Sequence, residues 1–125
     1  MSAIAFPVPD AGILARRESI IAGLARLVPP QALITSDDER RPYETDALTA
    51  YRRMPLAVVL PSTTQEVAAV LRYCREEGVP VVPRGAGTSL AGGAIPQEDA
   101  VVVGVSKMNR ILQIDYANRV ARVEA

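Results

Sequence analysis

An α/β (α+β) fold, with a helical N-terminal extension leading into a βαβ unit, is what three features of the sequence predict. Short apolar runs rich in Val at residues 56–60, 79–82 and 100–105 read as buried strands. Between the first two lies a stretch of 3.6-residue apolar period with a start signal and a stop signal. Near the C-terminus, two segments alternate apolar with polar residues around a polar turn, the pattern of an antiparallel hairpin.

Taken in order, Ile20, Ile21, Leu24, Leu27 and Val28 recur on one face and predict a helix over residues 13–28, stopped by Pro29-Pro30. Residues 35–46 are charged and polar with Pro42 among them, so a surface connection is expected. Residues 56–60 sit between Pro55 and Pro61 as a strand. Thr63-Thr64-Gln65-Glu66 fits a capping box, in which hydroxyl and carboxylate satisfy otherwise orphaned N–H groups. Val67, Val70, Leu71 and Cys74 then follow at i, i+3, i+4 and i+7 as one apolar stripe, and Gly78 supplies the left-handed position that ends a helix. Strand, helix and strand within this length predict a parallel pair joined by a right-handed crossover. Residues 100–105 form a third strand, and residues 111–115 and 120–124 form a hairpin with one buried face. A hairpin ending on an unpartnered edge is unusual, so residue 125 is read as a truncation point.

Composition narrows the chemistry. Lys plus Arg equals Asp plus Glu, so there is no basic excess for nucleic acid to recognise. A single cysteine excludes a disulfide within the chain, and with no histidine neither a zinc site nor a Ser-His or Cys-His nucleophile can be assembled. Cys74 falls at a helical core position and reads as packing. No apolar run is long enough to span a membrane as a helix, and the first ten residues carry no positive leader region. A cytoplasmic location is the expectation.

The functional signal converges on residues 82–94. Four glycines between Gly85 and Gly93, directly after a strand, let the backbone approach a ligand closely. Successive exposed N–H groups in such a turn form a nest suited to a diphosphate. Thr88 and Ser89 add hydroxyl donors and Arg84 a charge. A Rossmann fingerprint would need glycine where Leu90 stands, and Pro96 spoils the following helix. A Walker A loop would need lysine where Gly93 stands. A tight turn that binds nothing is the remaining reading of the spacing.

Pro83-Arg84-Gly85-Ala86-Gly87-Thr88-Ser89, followed by Gly92-Gly93-Ala94, resembles the pyrophosphate loop of FAD-binding domains of the vanillyl-alcohol-oxidase and p-cresol-methylhydroxylase type. Pro61-Ser62-Thr63-Thr64-Gln65-Glu66-Val67 is similar to the helix opening of that family. Within it, the likeness is greatest to the flavoprotein subunit of bacterial glycolate oxidase and to related D-lactate dehydrogenases. Pro42-Tyr43-Glu44-Thr45-Asp46 with Ala50-Tyr51-Arg52 resembles the segment preceding the flavin domain there, and residues 108–115 and 121–124 resemble the strands that follow.

The resemblance implies the first subdomain of a two-subdomain FAD-binding fold, incomplete at residue 125. Residues 1–54 would be a helical extension and linker, and residues 55–125 the first part of the flavin domain. It implies FAD as cofactor and transfer of a hydride from glycolate or a similar 2-hydroxy acid, with D-lactate as the alternative substrate. Partner subunits of a glycolate oxidase complex are implied too, an iron–sulfur subunit among them, together with peripheral attachment to the inner membrane through those partners. Pro83, Arg84, Gly85, Ala86, Gly87, Thr88, Ser89, Gly92, Gly93 and Ala94 are the implied cofactor-binding positions; no catalytic residue is assigned. A non-catalytic module that binds a nucleotide diphosphate is the alternative of another class. Residues 43–53 read as a solvated linker, or else as part of a substrate entrance or partner contact, and Asp37-Asp38-Glu39 as a solvated turn or helix start rather than a metal site.

Overall fold

The computed structural model describes residues 5–124; residue 125, read above as a truncation point, lies outside them. Two helices stand where one is expected over residues 13–28: α1 (Ala11–Ala15) and α2 (Arg17–Leu24). Asp10 caps the first, accepting from the N–H groups of Gly12 and Ile13. At the joint, the Arg16 backbone leaves the helical region (φ −96°, ψ 11°) and its guanidinium reaches Glu77, 2.7 Å to the carboxylate and 3.0 Å to the carbonyl. Helix α2 ends at Leu24 in turns closed by Arg26 N–H to Gly23 and Leu27 N–H to Leu24. Gly23 is required by close packing: a Cβ there would collide with the ring of Tyr73, whose hydroxyl donates to the Ile20 carbonyl at 3.4 Å.

Strand β1 (Leu33–Ile34) is too short to show a period in sequence, yet it pairs antiparallel with β2 (Ala57–Val59). Helix α3 (Asp37–Arg40) carries its acidic residues in the first turn, where they favour the helix dipole. Arg40 at its end is buried, paired with Asp37 and donating to the carbonyls of Pro55 and Leu56. Arg17 donates to the same Leu56 carbonyl at 3.2 Å and to Thr35 at 2.8 Å. Its acidity is raised by burial first and by Arg40 second.

Helix α4 (Thr64–Glu77) matches its sequence signals at both ends. Thr63 Oγ1 accepts from the Glu66 N–H at 3.1 Å, and Glu66 accepts in return from Ser62 N–H, one residue earlier than the capping-box pattern places it. Gly78 closes the helix at φ 69°. The expected stripe is corrected at one position: Val70 and Cys74 are buried and Val67 is half-buried, but Leu71 is 45 % exposed. One residue advances a helix by about 100°, which carries Leu71 from the Val70 line to the rim.

Strands β3 (Val81–Arg84) and β4 (Val101–Gly104) complete a four-stranded sheet of order β1-β2-β4-β3. The strands flanking α4 are parallel, as expected, but they do not pair with each other. Strand β4 lies between them, with Val58 opposite Val102 on one side and Val82 opposite Val102 on the other. The three consecutive valines of β4 explain this placement, because every β4 residue is buried, as only a central strand is. Ile13, Ile20, Leu24 and Val28 share one core with Val59, Val70, Cys74, Val101 and Val103. Residues before position 55 thus pack into the same core as those after it.

The hairpin of β5 (Ile111–Asp115) and β6 (Val120–Val123) forms a separate two-stranded sheet. Its register shifts between Ile111 and Gln113, so Ile111 and Ile114 share a face with Ala121 and Val123. The expected buried face is corrected: these side chains are exposed among the described residues. What holds the hairpin is polar. Arg110 forks onto Glu124, and Asp115 accepts from the side chain and backbone of Asn118 at 2.8 and 3.0 Å.

Two outcomes follow from this packing. Leu24→Ala, at a fully buried site, should destabilise the chain by about 2–5 kcal/mol in urea unfolding, whereas Leu71→Ala should cost under about 1 kcal/mol. The hairpin should loosen in acid. Hydrogen bonds from Arg110 hold the Glu124 carboxyl below its ordinary range, and those from Asn118 do the same for Asp115. A carboxyl depressed in the fold contributes stability above its unfolded pKa of roughly 4, lost as pH falls through the lower folded value. The backbone NMR signals of Arg110 and Asn118 should move toward disordered values below about pH 4. In the double variant Asp115→Asn, Glu124→Gln that acid-dependent change should vanish.

Candidate functional site

Strand β3 delivers the glycine loop to the C-terminal edge of the parallel strands, where open α/β sheets place their ligands. Pro83 sits inside β3 rather than before it, and this is tolerated because β3 is the edge strand. The carbonyls of Pro80 and Arg84 point at β4, accepting from Val101 and Val105, so position 83 faces outward and needs no N–H.

Beyond Arg84 the chain leaves the ladder. Gly85, Ala86, Thr88 and Ser89 are exposed, Gly87 and Gly92 are half-buried, Gly93 is exposed and Ala94 is buried. Gly87 has φ 71° and Gly92 φ 78°, in the left-handed region that side chains rarely adopt. Among the described residues no acceptor meets the backbone N–H groups of residues 85–90, and the Ala91 N–H is taken by Ser89 Oγ at 3.1 Å. A Cβ added at Gly85 or Gly93 would meet nothing within 4 Å, so the space above these two residues is open. Consecutive free donors, an approachable backbone and two hydroxyls are a donor set for an anion with several oxygens, which a diphosphate is. The described residues enclose no cavity; the loop is one wall of an open surface.

Arg84 is turned the other way. Its Nη1 donates to the Thr45 carbonyl at 2.6 Å and its Nη2 to the Pro42 carbonyl at 3.2 Å. Its guanidinium carbon lies 5.4 Å from the centre of the Tyr43 ring. A Cβ on Gly87 would lie 2.9 Å from Arg84 Nε and closer still to Cζ and Nη2, so the guanidinium packs directly under Gly87. Further along, Leu48 Cδ2 lies 3.5 Å from the Cβ position of Gly92. Residues 42–48 therefore form a floor beneath both ends of the loop. The sequence reads residues 43–53 as a solvated linker, or else a substrate entrance or partner contact, because contacts with the loop leave no periodic signal. The rest of that stretch is also partly packed: Arg52 pairs with Glu44, and Arg53 bridges Glu98 at 2.8 Å while lying 4.8 Å from the Phe6 ring.

A protein-family model described as an FAD binding domain matches residues 55–125. The chain belongs to this family. It is 44 % identical over 108 residues to the glycolate oxidase subunit GlcD of Escherichia coli K12, covering 86 % of this chain and 22 % of that protein. Against GlcD of Bacillus subtilis it is 42 % identical over 95 residues, covering 76 % and 20 %. Against the D-lactate dehydrogenase of Archaeoglobus fulgidus it is 44 % identical over 85 residues, covering 67 % and 19 %. The chain thus spans about a fifth of the length of these curated relatives. Among solved structures, p-cresol methylhydroxylase matches with a TM-score of 0.69 at 22 % identity, over 86 % of this chain and 21 % of that one. The 4-ethylphenol oxidase of Gulosibacter chungangensis matches with a TM-score of 0.71 at 22 % identity, over 87 % and 21 %. These likenesses carry the fold, and the FAD-binding domain family supplies the cofactor, FAD. The residues present fit it, since the loop offers donors and open space on the same stretch of chain.

Cys74 stands apart from this chemistry. It is buried on the core-facing side of α4, and burial pushes its thiol up to about 11, which leaves almost no thiolate at neutral pH. The folded protein should react with a thiol reagent such as DTNB only as it opens, and one equivalent should appear promptly in denaturant.

Proposed function

We propose that this FAD-binding domain holds the FAD diphosphate on the backbone N–H groups of residues 85–90, as part of a longer flavoprotein that oxidises a 2-hydroxy acid. The unmet donors of that loop are the observation that carries the binding role. Gly85 and Gly87 supply the nearest approach, Thr88 and Ser89 offer hydroxyls, and Gly92, Gly93 and Ala94 shape the loop's return on the adenosine side. Pro83 rigidifies its entry. Bound flavin supplies the hydride acceptor, while the protein orients it.

Glycolate is the substrate we favour, because the GlcD relatives match over most of this chain. D-lactate is the second reading, supported by the 44 % identical Archaeoglobus relative. GlcD is by name a subunit, so partner subunits, an iron–sulfur protein among them, belong to the proposal. No helix among the described residues is long and apolar enough to cross a membrane, and we place the protein in the cytoplasm, peripheral to the inner membrane through those partners. In this reading residues 1–54 are an extension that buttresses the flavin domain beginning at residue 55.

Gly85→Val tests the loop cleanly. Its φ is not in the left-handed region and a Cβ added there has nothing within 4 Å, so the fold should be unchanged. The same side chain would occupy the approach to the N–H groups. In the intact protein FAD affinity should fall at least about tenfold, equivalent to roughly 1.4 kcal/mol. Normal flavin content in a folded Gly85→Val protein would overturn the assignment.

A further inference from the structure

We infer that Arg84, although it lies at the mouth of the loop, is a positioning residue that shapes Gly87 from beneath and does not itself hold the diphosphate. The inference rests on the FAD reading above and deepens it. A cation one residue before an anion-binding loop invites the opposite assignment, and the geometry decides between them. Each terminal nitrogen of the guanidinium donates one N–H to a main-chain carbonyl, Nη1 to Thr45 and Nη2 to Pro42, which turns the fork toward residues 42–45. One side of the group lies near the Tyr43 ring, and Gly87 occupies the place where a side chain would otherwise collide with it.

The floor to which Arg84 is tied is itself braced. Asp46 is only 4 % exposed, and its Oδ1 accepts from the Leu48 N–H at 2.9 Å. Thr45 Oγ1 donates to the carbonyls of Asp46 and Leu48 at 3.2 and 3.4 Å. Arg84 thereby fastens an otherwise exposed loop to a structured segment some forty residues earlier in the chain. Arginine suits this task and lysine does not. Two carbonyls at different places need a planar fork with fixed donor directions, and the flat cation can lie near an aromatic ring while still donating. A lysine would keep the charge and lose the fork.

The test uses the intact protein with Arg84→Lys and Arg84→Met, measuring FAD dissociation at several salt concentrations. The flavin-free protein is also exposed to elastase, which can cut after Ala86 and Ala91. A positioning role predicts that both variants lose FAD affinity at least about tenfold, that the salt dependence of dissociation stays as in the unmodified protein, and that elastase cuts the loop several-fold faster. Full FAD affinity in Arg84→Lys, or a weaker salt dependence in Arg84→Met, would show a direct phosphate contact and overturn the inference. So would unchanged elastase cleavage. The cleavage readout needs no flavin, so it judges the inference separately from the FAD reading, which Gly85→Val judges. Should the Arg84 variants not fold, Tyr43→Leu removes the ring and leaves Arg84 in place; faster loop cleavage supports the inference and unchanged cleavage overturns it.

Discussion

Val101, Val102 and Val103 are sealed from solvent and paired on both edges, to β2 on one side and β3 on the other. All three strands run in the same direction, so the chain that leaves β3 at Arg84 must return the length of the sheet before it enters β4. A parallel connection of this kind usually contains a helix. Here residues 85–100 make the crossover with no helix or strand of their own. Its first part is therefore forced to the C-terminal edge of the sheet with its backbone N–H groups unspent, while its end is anchored by the buried residues Pro96, Asp99 and Ala100. The central position of β4 and the exposure of the glycine loop are one constraint seen from two ends.

Much of this was legible in the residues. Helix α4 announces itself because local signals agree: a capping threonine, a glutamate three residues on, an apolar stripe and a terminal glycine all act within one segment. The three core strands are legible as valine-rich runs. What was not legible depends on partners far away in sequence. Two residues, Leu33 and Ile34, become a strand only because β2 offers an edge. Nothing in residues 56–84 tells that a third strand will separate the two flanking α4. Arg16 looks like an ordinary helical residue until Glu77 is known to lie beside it. The hairpin's alternation is real, but alternation reports a preference for burial and not what supplies it.

In the proposed reading, the loop is an anion site built with little charge. The chain has as many acidic as basic residues, and Arg84, at the mouth of the loop, directs two of its N–H donors to carbonyls of residues 42 and 45. What remains is a row of backbone dipoles. Such groups carry partial charges fixed by the fold, cost no side-chain entropy to orient, and match the several oxygens of a diphosphate better than a single point charge does. In that reading glycine is needed where the backbone itself is the binding surface; at Gly87 the positive φ favours it, and an added Cβ would also displace the guanidinium beneath.

A binding surface made of backbone is only as definite as the torsion angles that shape it, and an exposed loop with few contacts of its own cannot hold them. That is why, in the proposed reading, residues 42–48 belong to the site although none of them lies in the glycine loop. Arg84 grips the floor at the loop's start, and Leu48 lies against Gly92 near its end. In the proposed reading the glycine pattern marks where the ligand approaches, because freedom of the chain is a local property readable at each position. The floor supplies the opposite property, restraint, through main-chain carbonyls that any residue type could have offered and through the Tyr43 ring, whose role no local pattern marks. Sequence patterns report the first kind of requirement and are nearly blind to the second, so a substitution in the 42–48 segment should look, in its effect on the loop, like a substitution in the loop itself.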